Sequence, residues 1–531
     1  SRQEVCESFD LFRSYQGGVY FANNVTKGYL LSGFPAKRDG FLHDGKLIIS
    51  HGGGKAESLQ QSKGETKVKL ADDQKAEDKS VRALLTNYRQ QIPLVLLIDD
   101  RYALFPYDLG GKNVTYAVLG VYNITHAWAE YETTKSGQKH VRFKFAFQWC
   151  EEQGQPWWHA RKDEALNFSP IQPPVSSENT IHERRTDRTC PHCEMRSPLV
   201  FSVGWGCLNS TCSQFWTLPE IGYVPFPDEL DFHEEFLRLR SLPPLDDGLR
   251  NIIPPPPVTS PSNRITTVQS FTRGMHCIKC GRLSCRFKWQ HWECANCQHV
   301  LKVTGSIRRA AELKNISTMT SHYNSLGKET GIVREPPRFF GNASSGGHVQ
   351  TFVLPEGRGR IHHIQHNSMA PQERVDTLFE EYQKQASEGI LQFRRWPLRS
   401  HKLRGSLLTN YFSQNCGEPY HVESFYLFQL DLRSTTQQYV GGSANTLSWE
   451  EAPSAVIEAR KFIVERTSQA LEKELQFNEV LSAAYMEKQK IYILTLLVMD
   501  GAGVQQFYEH MVEPSNFRIA ATARWIDPNR K

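Results

Sequence analysis

The sequence has no apolar run approaching the roughly twenty residues that a membrane-spanning helix requires, so no such span is expected. Its longest apolar candidate, IYILTLLVM at 491–499, has the length and β-branched content of a buried strand. A dominant charge is also missing. The 62 Lys and Arg against 57 Asp and Glu leave a net +5, which permits a nucleic-acid partner without arguing for one. The opening SRQEVCESF carries neither an initiator Met nor the apolar core of a secretory signal, so a fragment is expected. The Asn-x-Ser/Thr triplets, for example at Asn24 and Asn113, are accordingly read as unmodified. At 531 residues, with 39% hydrophobic and 22% charged content, the chain is ordinary globular material and too long for one core. Three or four domains are expected.

Cysteine is the residue type with a pattern. Eight of the 12 form the pairs CPHC, CLNSTC, CIKC and CANC. They make two clusters, Cys190, Cys193, Cys207 and Cys212, then Cys277, Cys280, Cys294 and Cys297, and in both thirteen residues separate the two pairs. Zinc takes four soft ligands at tetrahedral corners; a tight C-x2-C turn offers two thiolates and a second pair closes the site. Buried free thiols would not recur as pairs at matched intervals. Four thiolates leave no open position, so both sites are expected to be structural, with Cys285, His192, His291 and His299 as substitute ligands. Paired thiols of this kind point to a reducing compartment, cytosol or nucleus, with the nucleus expected. The ribbons would occupy 187–226 and 271–305, after a linker at 166–186 and a Pro-rich one at 227–270. Around the second ribbon, RFKWQHWECANCQHVLKV adds aromatics and cations, which serve either its packing or a nucleic acid.

Residues 1–165 alternate strand-like segments with Gly-rich turns. KHVRFKFAFQW shows period-2 alternation, and Val81, Leu84, Leu85 and Tyr88 make one apolar helix face. A mixed β-barrel with one or two packed helices follows. GVY, GYLLSGF, SHGGGK, the DQK…SVRALLTNY helix and VYNITHAWAEY…SGQKHVRFKF occur in an order that resembles the SRA (YDG) domain, a reader of modified cytosine that flips a base into a pocket. The resemblance implies stacking plus hydrogen bonds to the base edge. By position it implies Phe34 as the first stacking aromatic, Asp39 as acceptor for an exocyclic amine, and Ser50 and His51 on the second wall. Ile49 stands where the family has its second stacking aromatic.

Residues 340–531 contain two helical stretches, from APQERVDTLF and from APSAVIEARKF, and the segments FNEVLSAAY, VMDGAGVQQFYEH and NFRIAATAR. These resemble the AlkB-like Fe(II)/2-oxoglutarate dioxygenases, in the branch found behind SRA-like and zinc modules in fungal proteins. The resemblance implies a double-stranded β-helix (jelly roll) and an iron held by H-x-D and a distal His. It implies His510 as that distal ligand, Arg518 as the clamp on the far carboxylate of 2-oxoglutarate, Arg524 near its metal end, and Tyr485 beside it. The H-x-D segment is absent: after Tyr485 the chain reads MEKQKIYILTLLVM. A deletion after 490 and an insertion near 421–438 would leave the jelly roll incomplete, and they point to an altered transcript or gene model. His421 and Glu423 form an H-x-E inside the insertion, on the wrong strand to replace the ligands. Arg394, Arg395, Arg399, Lys402 and Arg404 around Trp396 are the densest basic patch, a set of phosphate contacts or a solvated loop.

The expected fold class is therefore multidomain α+β: an SRA-like β-barrel with helices, two zinc ribbons and an incomplete jelly roll. By family the chain is a dioxygenase demethylating nucleic acid, catalytically impaired without its H-x-D, with zinc, iron and 2-oxoglutarate as the implied cofactors. The alternatives are a non-catalytic, zinc-stabilised modified-DNA reader and a chromatin scaffold. Nucleic acid, as modified DNA, is the expected partner; a membrane is not.

Overall fold

A computed structural model describes residues 1–9, 12, 17–33, 36–53, 58–62, 65–69, 72–112, 114–133, 137–159, 187–245, 273–277, 282–302, 307–313, 331–343, 345–366, 369–398, 407–419, 445–486, 496–501, 504 and 517–526. The fold is multidomain α+β, mostly sheet with few helices. Contacts divide the chain into two compact units. One is Phe9–Pro254 with Cys280–Leu283; the other is Ser1–Ser8, Pro255–Lys279 and Ser284–Lys531.

The first unit is built on strands β1 (Val19–Ala22), β2 (Val25–Leu31), β3 (Gly40–Leu42), β4 (Leu47–His51), β7 (Leu94–Asp99), β8 (Tyr116–Thr133) and β9 (Lys139–Trp149), with β5 (Ser58–Ser62) and β6 (Glu65–Lys69) paired only to each other. The seven run in the order β1-β2-β7-β8-β9-β4-β3; β2 and β7 are parallel and the other neighbours antiparallel. The expected barrel is corrected: among the described residues nothing pairs β1 with β3, and the sheet is open. Its edge strands are four and three residues long, too short a ladder to close a barrel.

Both faces of the sheet are covered. The helix Lys79–Gln90 lays Val81, Leu84 and Leu85 on one face, where they meet Tyr29, Ile48, Leu96, Tyr122 and Phe145. That is the apolar face the i, i+3, i+4 spacing predicts. On the other face Leu47, Ile49, Trp128 and Ala146 pack with Val200, Phe201, Leu208 and Trp216 of the first cysteine ribbon. Alternation along β4 decides this, since Ile48 and Ile49 point to opposite faces. Each buried aliphatic side chain there contributes about 1.5–3 kcal/mol, so ribbon and sheet share one core.

In the second unit the strand Gly347–Val353 pairs with Arg360–His366, which pairs with Leu496–Asp500. A separate sheet joins Thr446–Leu447, Phe412–Gly417, Glu479–Tyr485 and Arg518–Arg524 in that order. The helix Ser454–Leu471 serves both: Ala455, Val456 and Ala459 pack with Val480 and Ala484, while Ala470 packs with Val349 and Ile364. The helix Met369–Glu388 adds Tyr382 and Ala386 to the larger core. The reading of 491–499 as a buried strand is corrected for its described part. Among the described residues Leu496–Asp500 has a partner on one side only, and Leu497 and Met499 are 44% and 40% exposed. Residues 491–495 lie outside the described residues, as do Lys490 and the insertion at 421–438.

Candidate functional site

The first ribbon converges all four of its cysteines. Cys190 Sγ lies 3.8 Å from Cys212 Sγ, Cys193 Sγ lies 3.7 Å from Cys207 Sγ, and all four sulfurs are within 4.8 Å of one another. Tetrahedral zinc with Zn–S near 2.3 Å has sulfur–sulfur edges of about 3.8 Å, so the donor set fits that ion. The turn that aims the first two is fixed by its backbone. Cys190 N–H donates to Met195 C=O at 3.0 Å and Glu194 N–H to Cys190 C=O at 2.9 Å, with Glu194 in a left-handed conformation. The Gln214 N–H donates to Cys212 Sγ at 3.4 Å. Burial opposes ionisation of Cys193, but hydrogen bonds from the Met195 backbone, Asn209 and neighbouring thiols bring its pKa down to about 7. Trp205 shields the cluster, its indole N–H held by Ser197 C=O at 2.8 Å.

The second ribbon brings Cys277, Cys294 and Cys297 within 4.8 Å, with 3.5 Å between Cys277 and Cys297. Cys280 lies outside the described residues. Its Cys294–Cys297 turn repeats the Cys190–Cys193 turn bond for bond: Cys294 N–H to His299 C=O at 2.9 Å and Gln298 N–H to Cys294 C=O at 3.0 Å, with Gln298 left-handed. The substitute ligands are not used. His192 Nε2 meets Tyr223 Oη at 3.2 Å, His291 pairs with Glu293 at 3.4 Å, and Cys285 is buried outside the sulfur group with its pKa raised by burial. Nor does His299 join it among the described residues.

Three of the base-pocket candidates come together at the β3–β4 edge. Asp39 Oδ2 accepts from Ser50 Oγ at 3.3 Å and from Ala36 N–H at 2.9 Å, and Ser50 Oγ meets Tyr29 Oη at 3.1 Å. The Tyr29 hydroxyl donates to His51 C=O at 2.6 Å and lies 3.3 Å from His51 Nδ1. Burial lowers the His51 pKa. The carboxylate is not free for an exocyclic amine. Lys144 Nζ, fully buried, donates to Asp39 Oδ1 at 2.5 Å and also faces Glu130 at 3.9 Å. Phe34 lies outside the described residues, and Ile49 faces the ribbon. Sequence reading missed Lys144, although a lysine inside the alternation of KHVRFKFAFQW marks a buried cation that needs a carboxylate.

At the other end of the chain, Tyr485 and Arg518 are direct cross-strand partners. Burial raises the Tyr485 pKa and lowers that of Arg518. Arg524 is engaged elsewhere: it pairs with Glu479 at 3.2 and 3.3 Å, and Glu479 is fully buried with its pKa raised by burial to about 7. An arginine already holding an internal carboxylate does not fit the co-substrate role implied for it. His510, His421 and Glu423 lie outside the described residues. Among those described, the two cysteine groups are the ones that could hold a metal, and no iron ligand set accompanies Tyr485 and Arg518.

The basic patch is corrected at one position. Arg395 is 2% exposed and forks onto Glu7 at 2.7 and 2.8 Å, so it cannot reach a phosphate. Arg394 is partly exposed and bonds Gln392 at 3.2 Å; Trp396 is buried; Arg399, Lys402 and Arg404 lie outside the described residues. No helix among the described residues is long and apolar enough to cross a membrane.

No family model and no curated protein matches the chain. Among solved structures it is similar to a modification-dependent TagI restriction endonuclease, at 17% identity over 28% of this chain and 46% of that one, TM-score 0.22. It is also similar to the SRA domain of SUVH5 in complex with fully methylated CG DNA, at 18% identity over 25% of this chain and 73% of that one, TM-score 0.18. For SUVH9 the figures are 15%, 26%, 24% and 0.16. The chain thus spans less than half the length of the restriction endonuclease. Likenesses of this extent carry no argument about function.

Proposed function

We propose that this chain is a non-catalytic reader of modified DNA whose two units are each stabilised by zinc, working in a reducing compartment, the nucleus. The observation that carries the reading is the first unit. The segments whose order resembles an SRA domain form one mixed sheet with the helix Lys79–Gln90 on it, and a four-sulfur ribbon is packed on the opposite face. Base readers of this kind need a rigid scaffold, since holding an unstacked base costs a few kcal/mol that a loose site cannot return. The zinc is held by Cys190, Cys193, Cys207 and Cys212, and in the second unit by Cys277, Cys294 and Cys297. Bound at the four-sulfur group it cross-links the turns and leaves no open coordination position.

Turnover as a 2-oxoglutarate dioxygenase is no part of this reading, because Arg524 is spent on Glu479 and the sequence has no H-x-D after Tyr485.

The test is fluorescence anisotropy of the full chain with a labelled duplex carrying a central 5-methylcytosine against its unmodified twin, over a salt series. The expected outcome is tighter binding of the modified duplex at every salt concentration, on top of a salt-dependent phosphate contribution common to both. Equal affinities, or no binding, would sink the reading.

A further inference from the structure

The first ribbon leaves large apolar side chains in solvent. Val203, Ile221, Tyr223 and Val224 are 45%, 61%, 41% and 47% exposed. They belong to one surface. Val203 sits in a turn closed by Gly204 N–H donating to Phe201 C=O at 3.4 Å. A Cβ built on Gly204 would lie 3.5 Å from Leu218 Cδ2 and 3.7 Å from Glu220 Oε2, so this turn rests against the hairpin of Thr217–Leu218 and Val224–Pro225. Ile221 and Tyr223 form the loop of that hairpin, and Val224 is the cross-strand partner of Leu218. Contiguous apolar exposure of this kind marks an interaction site, unlike the scattered exposure usual on a folded surface.

Tyr223 is held in place before any partner arrives. Its φ of 61° is a left-handed conformation unfavourable to a bulky side chain. Its ring stands edge-on to His192 at 5.5 Å, with its hydroxyl 3.2 Å from His192 Nε2. An aromatic already ordered loses little freedom on binding, the property of an interface anchor.

Charge selects the partner. Residues 197–237 contain six acidic residues and no lysine or arginine. Three of the acids are paired by cations from outside the stretch: Glu220 by Arg188, Asp228 by Lys139 at 2.9 Å and Glu235 by Arg238 at 2.8 Å. Glu229, Asp231 and Glu234 are exposed and join no ion pair among the described residues. Asp231 borders the apolar patch, since its C=O accepts from Ser202 N–H at 3.0 Å, one residue before Val203. Such a surface repels phosphates and acidic peptides and attracts a cationic polypeptide.

We infer that this face of the first ribbon docks a basic polypeptide segment of another protein. An apolar side chain of that segment packs on Ile221, Tyr223 and Val224, and its lysines or arginines meet Asp231 and the neighbouring Glu229 and Glu234. The surface is not one that holds DNA, so the inference can fail with the modified-DNA reading intact.

The experiment titrates the full chain into a short labelled peptide of lysines and arginines flanking Leu-Val-Leu. One control peptide has glutamates in place of the cations, and the other has Gly-Ser-Gly in place of the apolar centre. The first peptide should bind, with both controls weaker by about tenfold or more. Ile221→Ser should weaken binding about tenfold, and Glu229→Gln combined with Asp231→Asn should weaken it and flatten its salt dependence. These side chains are exposed, so both variants should keep the wild-type melting temperature and bind the two duplexes as wild type does. Equal binding of the Gly-Ser-Gly peptide, or wild-type affinity in Ile221→Ser, would reduce the effect to unspecific charge and overturn the inference. Weaker duplex binding by Ile221→Ser would turn this face to DNA, and a sedimenting dimer that Ile221→Ser disperses would assign it to a second copy; either result overturns it. If the wild-type chain binds the peptide and neither duplex, the reader falls and this inference stands.

Discussion

Lys144 and Arg524 show how a single buried partner decides what a residue can do. A carboxylate in a fully buried position next to an ammonium at 2.5 Å is a structural pair, and Asp39 is that carboxylate. Arg524 has the same fate with Glu479. His126 is the opposite case, a buried ring with Phe236 at 4.6 Å and, among the described residues, no partner on Nε2. Burial, aided by Arg240, lowers its pKa from 6.5 to about 3. The unfolded chain therefore binds a proton there between pH 6.5 and 3 that the folded chain does not. Stability is fully present above pH 6.5 and is lost as pH falls through that window. His51 contributes in the same direction. Replacing His126 by Phe should flatten the dependence of the first unit's urea midpoint on pH between 6.5 and 4; an unchanged slope would show that the ring does not titrate as its burial requires.

At the scale of elements, the helix Arg2–Ser8 is far from its partners in sequence and belongs to the second unit. Gln3 exchanges hydrogen bonds with Leu408, donating at 3.1 Å and receiving at 2.6 Å, and Gly274 N–H donates to Glu7 C=O at 2.8 Å. Its main fastening is the Glu7–Arg395 fork. Arg286, fully buried among the rings of Trp289, Trp292 and Phe412, already places one cation in this core, and burial lowers its pKa to about 9. Glu7→Ala would remove the carboxylate that forks onto buried Arg395 beside it. We expect a loss of about 3–5 kcal/mol for the second unit in denaturant titrations. A loss under about 1 kcal/mol would mean that the pair is as weak as a solvated surface bridge.

At the scale of the molecule, each unit has a cysteine ribbon built into its own core. In the first, Phe201 and Trp216 meet β4 and β8; in the second, Trp289 N–H donates to Phe393 C=O at 3.1 Å and its ring packs with Phe412. Metal loss should therefore unfold more than the ribbon. Metal analysis of the purified chain is expected to give about two zinc per chain. Cys207→Ser should reduce this to about one and destabilise the first unit by several kcal/mol, leaving the second unit's transition in place. Retention of two zinc by that variant would show that the four sulfurs do not act as one site.

The sequence by itself determined the features set by local spacing. These are the two cysteine groups from paired cysteines thirteen residues apart and the helix face Val81–Tyr88 from its period. Turn geometry and side-chain alternation depend on neighbours along the chain, so they can be read from it. Only the tertiary structure decided which charges were already taken. Lys144 meets Asp39, Glu7 meets Arg395 and Glu479 meets Arg524 across separations of 105, 388 and 45 residues. It also decided that the sheet stays open and that Ile49 faces a ribbon. A buried charge must find its partner wherever the fold brings one, and no periodicity in the sequence says where that will be.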